Sequence, residues 1–304
     1  MSFITSIGIS NPPHRFKQAD LAAFMINAME LNDEDARKTK SLYRTTGIDT
    51  RYSVLADYGK LSGFDFFPDN RSLEPFPTTT DRMSSYRKHA LAISIESAND
   101  CLRDANVLAD EVTHLIVVSC TGMYAPGLDI DLVKALNLRT NVQRTCINFM
   151  GCYAAFNAIK LGDALCKSSN DARVLIVCTE LCSLHFQKKN TPDNLLANAL
   201  FADGSASVLM TSKASSGWNL EPASFHCDLL TRGEKEMSWQ VGDNGFEMQL
   251  SGYVPHLISE GISDFTQSLM NRFSPDDVSY FAVHPGGKKI LEVIERELKI
   301  PRNK

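Results

Sequence analysis

The chain has 304 residues, 43% of them hydrophobic and 22% charged, and a formal net charge of −5. This is the balance of a globular protein with room for one large domain or two, without the basic footprint that nucleic acid requires and without an apolar run long enough to cross a bilayer. Eight cysteines with no CxxC pair, behind an N-terminus that lacks a basic signal region, argue for a reducing cytoplasm and against a disulfide framework.

"MSFITSIGIS" alternates like a first strand, and "LAAFMINAM" and the stretch from Asp33 to Tyr43 read as helices. The Gly-, Pro- and Asp-rich segment "DYGKLSGFDFFPDNRSLEPFPTTT" reads as a loop. Thr80 or Asp81 then caps a long helix to about Asp104, with Leu91, Ile95, Ala98 and Leu102 on one face. From Thr113 the pattern alternates: strand "HLIVVSC", helix "PGLDIDLVKAL", strand "QRTCINF", a helix over 153–167 apolar nearly all round, then strands "RVLIVCTEL" and "ASVLMTS". After Gly217 the pattern restarts. "WNLEPASFHCDLL" and "EMSWQVGDNGFEMQLS" read as strands, "YVPHLISEGISDFTQSLMNRF" as an amphipathic helix, "VSYFAVHPGG" as strand and loop, and "KKILEVIERELKI" as a helix. The reading is α/β in two halves, 1–212 and 213–304. The second is expected to be incomplete at "IPRNK", where a helix still needs a following strand.

"NFMGCYAAFNAIKLGDAL" sets a glycine and a cysteine between an apolar strand and a helix. A helix N-terminus carries unpaired N–H groups and about half a positive charge, which favours thiolate and can hold an oxyanion. Cys152 thus fits a nucleophile at a strand-to-helix elbow, with Gly151 allowing the turn. A small residue packing a buried helix start fits the spacing too. A thiolate nucleophile needs a histidine. His14 and His89 read as surface, His114 and His256 as structural, and His226 lies within a strand-like run. His185 and His284 stand near the ends of buried strands. The "PGG" after His284 leaves room for substrate and makes it the better partner, whereas His185 reads as a pocket wall or plain packing.

"MGCYAAFNAIKLGDAL" and "FAVHPGGKKILE", with "APGLD", "ARVLIVCTEL" and "NALFADGSASVLM" in order between them, resemble the type III polyketide synthases, the chalcone synthase-like family. The resemblance covers nearly the whole chain. It implies a thiolase fold, two similar halves in an αβαβα sandwich, and a homodimer. It also implies a Cys-His-Asn site using acyl-CoA and malonyl-CoA as substrates, with no cofactor and no metal. Cys152 would take the acyl group, and His284 would hold the thiolate and help bind the malonyl thioester. Phe201 matches the gatekeeper phenylalanine, and Glu180 matches a glutamate near the site. At positions where plant enzymes carry a second gate phenylalanine, a methionine reaching into the neighbouring subunit, and a threonine shaping the cavity, this chain has Met248, Ala125 and His185. Those departures, with the bacterial look of "TELCSLHFQ", imply a long-chain acyl starter and an alkylpyrone or alkylresorcinol product. Lys38 falls on a basic coenzyme A-binding position, and Arg44 clusters with it alongside Arg37 and Lys40. The family's catalytic asparagine lies beyond this region and Asn303 is no convincing substitute, so the sequence reads as truncated before it. A type III ketoacyl-carrier-protein synthase and a non-catalytic dimer partner are the alternatives.

Overall fold

The computed structural model of the protein describes residues 1–273 and 278–300. β1 (Phe3–Ser10) leads through the short strand β2 (His14–Lys17) into α1 (Gln18–Ala28) and α2 (Asp33–Thr45); β3 (Thr50–Ser53) then pairs antiparallel with β2. The loop expected after residue 56 is there, opening on one short 3₁₀ turn, and α3 (Thr79–Asp104) follows. Its cap is Thr78, not Thr80 or Asp81. Thr78 Oγ1 accepts the Asp81 N–H and the Asp81 carboxylate accepts the Thr78 N–H, so the capping box closes one residue before the first helical position.

Next come β4 (His114–Ser119), α4 (Leu128–Ala135), β5 (Gln143–Asn148), α5 (Ala154–Ser168), β6 (Arg173–Leu181), α6 (Pro192–Leu200) and β7 (Asp203–Thr211). They build a five-stranded sheet in the order β1-β7-β6-β4-β5, parallel across β6, β4 and β5 and antiparallel at β7 and β1. All six residues of β4 are buried because both faces of the sheet are covered. Leu115 and Val117 pack with Phe24, Ala98 and Leu132 of α1, α3 and α4. Ile116 and Val118 face the other way, onto Ala154, Ala158 and Cys166 of α5.

α5 is not buried all round. Ala154, Ala158, Gly162 and Cys166 form one buried stripe, while Phe156 on the opposite side is 52% exposed, because only one layer covers this helix among the described residues. The C-terminal half corrects two further expectations. β8 (Met237–Gly242) and β9 (Gly245–Leu250) form the hairpin that the Asp-Asn-Gly turn calls for, and α7 (Val254–Met270) and α8 (Lys288–Leu298) are helices. "WNLEPASFHCDLL" and residues 278–283 are not strands; the former makes a single bridge, Ile4 to Leu220. Strand-forming residues take up strand structure only where a neighbouring edge accepts their hydrogen bonds, and these find none among the described residues.

Candidate active site

The elbow begins where β5 ends. Phe149 and Gly151 both take left-handed backbone conformations, with φ of 57° and 63°, which turns the chain sharply into a 3₁₀ turn over Gly151–Tyr153 and then into α5. Nothing lies within 4 Å of where a Gly151 Cβ would stand, so glycine serves the backbone turn there and also leaves open space. Cys120, on the segment after β4, braces the turn: its Sγ accepts the Gly151 N–H at 3.2 Å.

Cys152 is exposed on this elbow. Its thiol is not acidified as the helix-mouth argument expects. Partial desolvation of the sulfur and then the Glu180 carboxylate push it up from its usual range, against a smaller pull from its own N–H. The physical reason is position: regular helix starts two residues later, at Ala154, while the sulfur is partly desolvated and feels the Glu180 charge. Glu180 ends β6 and is bound by Thr121 Oγ1 at 2.6 Å and by the Cys120 N–H at 2.8 Å. Burial nevertheless raises its carboxyl to about 7.

Beside this cluster lies a cavity of about 50 Å³ that Phe201, His185 and Met248 line together with Cys182, Arg51 and Trp239. Three residues picked from separate parts of the sequence thus meet at one wall. The Arg51 guanidinium donates to the Phe201 carbonyl at 2.5 Å and to Gln18 Oε1 at 2.8 Å, fixing the backbone at Phe201. His185 is fully occupied. Its Nε2 lies 2.7 Å from the Thr121 carbonyl and its Nδ1 accepts the Phe246 N–H at 2.9 Å, which sets the Nε2-protonated neutral form. Burial pushes its pKa down to about 4. His185 is a neutral clasp and a pocket wall, not a base.

Other expected residues are not gathered there. Cys152 does not itself line the cavity; Cys182 does, and the Cys152 thiol contributes to the upward shift of Cys182. Ala125 is exposed on the loop between β4 and α4 and does not line the cavity. His284 is exposed, and no hydrogen bond or ion pair joins it to Cys152, because the segment before it is not held in a sheet. Its glycine loop runs near α6: a Cβ on Gly287 would lie 3.8 Å from Leu200, the neighbour of Phe201. Lys38 is exposed and its ammonium is taken by Glu34 at 2.6 Å, one turn back on α2, whereas exposed Arg44 has no ion-pair partner among the described residues. Asn303 lies outside the described residues.

Trp239, Cys120, Cys182 and Arg51 went unread in the sequence. For Trp239 a signal existed. The Asp243–Asn244 turn fixes a register that sets Trp239 opposite Met248.

The order of elements agrees with a match that runs nearly the length of the chain. Residues 1–214 match the N-terminal domain of chalcone and stilbene synthases, and residues 223–304 match the C-terminal domain. The chain belongs to the chalcone and stilbene synthase family. Its fold is thiolase-like and its relatives are type III polyketide synthases, which are acyltransferases. It is 30% identical over 317 residues to "Probable polyketide synthase 1" of Dictyostelium discoideum, covering 98% of this chain but 10% of that much longer protein. It is 28% identical to "Alpha-pyrone synthesis polyketide synthase-like Pks18" of Mycobacterium tuberculosis, covering 99% of this chain and 76% of the relative. Among solved structures, the type III domain of the Dictyostelium hybrid "Steely1" superposes with a TM-score of 0.86 at 29% identity, over 99% of this chain and 83% of that one. "PKS-I" of the brown alga Ectocarpus siliculosus gives 0.89 at 25% identity, over 99% and 81%. Among the described residues no helix is long and apolar enough to cross a membrane.

Proposed function

We propose that the protein condenses an acyl-CoA starter with malonyl-CoA through a thioester on Cys152. The observation that carries this reading is an exposed cysteine on a left-handed glycine elbow, between the sheet and α5, near a cavity that Phe201 helps line. The Cys152 sulfur attacks the acyl carbonyl, a new thioester forms, and coenzyme A leaves as the thiol with the proton the cysteine gave up. Malonyl-CoA then loses carbon dioxide. The resulting enolate carbon attacks the Cys152 thioester, forming the C–C bond and returning the sulfur to the enzyme. Because its surroundings raise the Cys152 thiol, a proton acceptor is needed near neutral pH. His284 is assigned that role through a shift of its loop, which already rests against Leu200. Arg44 is assigned to coenzyme A phosphate ahead of Lys38, whose charge is engaged by Glu34.

The starter is read as an aliphatic acyl group, since Met248, Phe201, Leu21 and Met25 give the cavity much of its lining. An α-pyrone product is taken from the mycobacterial relative. The protein is read as a cytoplasmic homodimer.

Intact mass after mixing with acyl-CoA tests the reading. The expected result is an acyl-sized gain that is absent in Cys152→Ala, followed by malonyl-dependent product. Acylation only from an acyl carrier protein would favour the ketoacyl synthase alternative. Acylation from neither donor would favour a non-catalytic partner of a related subunit.

A further inference from the structure

We infer that Lys288, the first residue of α8, grips the phosphates of the coenzyme A thioester together with Arg44 of α2, an inference resting on the acyl-transfer reading above. A coenzyme A thioester carries a diphosphate and a further phosphate, so its entry path needs cations that no carboxylate already holds. Lys38, the basic position to which the family resemblance points, is held by Glu34 at 2.6 Å. The charge comes instead from across the chain, out of the second half.

α6 brings the two cations to one path. Asn194, Ala197 and Asn198 of this helix line the cavity. α2 packs on it through buried Tyr43, whose hydroxyl donates to the Asn198 carbonyl at 3.0 Å, and the next residue, Arg44, is exposed. The start of α8 meets α6 at Leu200, 3.8 Å from where a Gly287 Cβ would stand. Lys288 then reaches back to α2. Its Cδ lies 3.5 Å from where a Cβ would stand on Gly47, two residues past the end of that helix.

Both cations are available. Arg44 makes no ion pair among the described residues, and the Lys288 ammonium is 3.9 Å from the Glu292 carboxylate, beyond hydrogen-bond length. Lys288 and Lys289 also open α8 with no acidic residue in its first turn. Cations at that end oppose the helix dipole, a cost that a bound anion removes.

The test compares Cys152 acylation by butanoyl-CoA and by butanoyl-N-acetylcysteamine, a thioester without phosphate, read by intact mass on the full chain. The quantity is the ratio of the two second-order rate constants. Lys288→Ala and Arg44→Ala should each lower that ratio about tenfold, the worth of one hydrogen bond to a charged group. Lys288→Arg should keep it near the wild-type value, and Lys38→Ala should lower it less. Raising the ionic strength from about 0.01 M to about 0.15 M should shrink the ratio more in wild type than in Lys288→Ala. A ratio unchanged in Lys288→Ala, including one kept by an equal loss with both thioesters, overturns the inference and leaves the acyl-transfer reading standing. No acylation of wild type by either thioester overturns the acyl-transfer reading, and the inference falls with it.

Discussion

The sheet side of the cavity and its hairpin side are held by different means. On the sheet side, the turn that follows β6 is bonded from several directions. Asp203 accepts the Val54 N–H at 2.8 Å and the Ser183 N–H at 2.7 Å. Arg82, fully buried in α3, donates to the Pro77 and Phe186 carbonyls at 3.0 and 3.2 Å and also to that of Leu184, with its guanidinium over the Phe76 ring. Among the described residues the hairpin pairs with no other strand, and a lone two-stranded hairpin is marginal in water. It borrows order from the first half: the Thr79 side chain bonds Gly242 and Gly245, the His185 ring bonds Phe246, and the Cys120 backbone carbonyl accepts the Trp239 indole N–H. The difference teaches that this cavity has a wall fixed by a folded core and a wall clasped to it by a few bonds.

Arg82→Ala should break the fixed wall and give the largest effect. Three buried carbonyls lose their donor at once, and about 3–5 kcal/mol should vanish from the urea unfolding free energy. A midpoint within error of wild type would show that the turn after β6 holds without the guanidinium.

The clasp should answer to acid. Burial keeps His185 at about 4, against about 6.5 for an unperturbed histidine. Between those values the unfolded chain binds a proton that the folded chain refuses, so this residue subtracts up to about 3 kcal/mol as pH falls from about 6.5 to about 4. Glu180 and Asp203, raised by burial to about 7 and 6, act with the opposite sign over an overlapping range. The His185 part is therefore read as the difference from His185→Gln. That difference should shrink on acidification, and a constant one would rule the clasp out as its source.

Gly245→Ala should loosen the hairpin alone. Gly245 sits at φ 105°, and an added Cβ would come within 2.6 Å of Arg82 Cδ and 3.1 Å of His185 Nδ1. A cost of about 1–3 kcal/mol should fall locally. Trp239 emission, isolated in a Trp218→Phe background, should change at urea concentrations where far-ultraviolet circular dichroism does not. Coincident transitions would mean that hairpin and sheet unfold as one.

Where a residue pattern and its partners lie in the same half, the sequence was readable. β4 and β6 follow from unbroken apolar runs, the hairpin from Asp-Asn-Gly, and the elbow from Gly-Cys ahead of α5. Phe201, His185 and Met248, picked out through the family motifs, line one cavity. Thr78 was missed because three successive threonines offer equal caps and only the reciprocal bond to Asp81 chooses between them. The strands expected at 218–230 and 278–283 were misjudged because strand propensity is silent on whether an edge is available. The direction of the Cys152 shift was misjudged because a helix terminus is visible in sequence, whereas a carboxylate arriving from β6 is not.

Glu180 has one more consequence. Its carboxylate contributes to the upward shifts of Cys120, Cys152, Cys178 and Cys182 alike, and it changes charge itself near pH 7. The carboxyl therefore ionises before the thiols around it, and its charge helps keep them protonated. Glu180→Gln should carry alkylation of Cys152 to lower pH. An unchanged profile would leave burial alone as the cause.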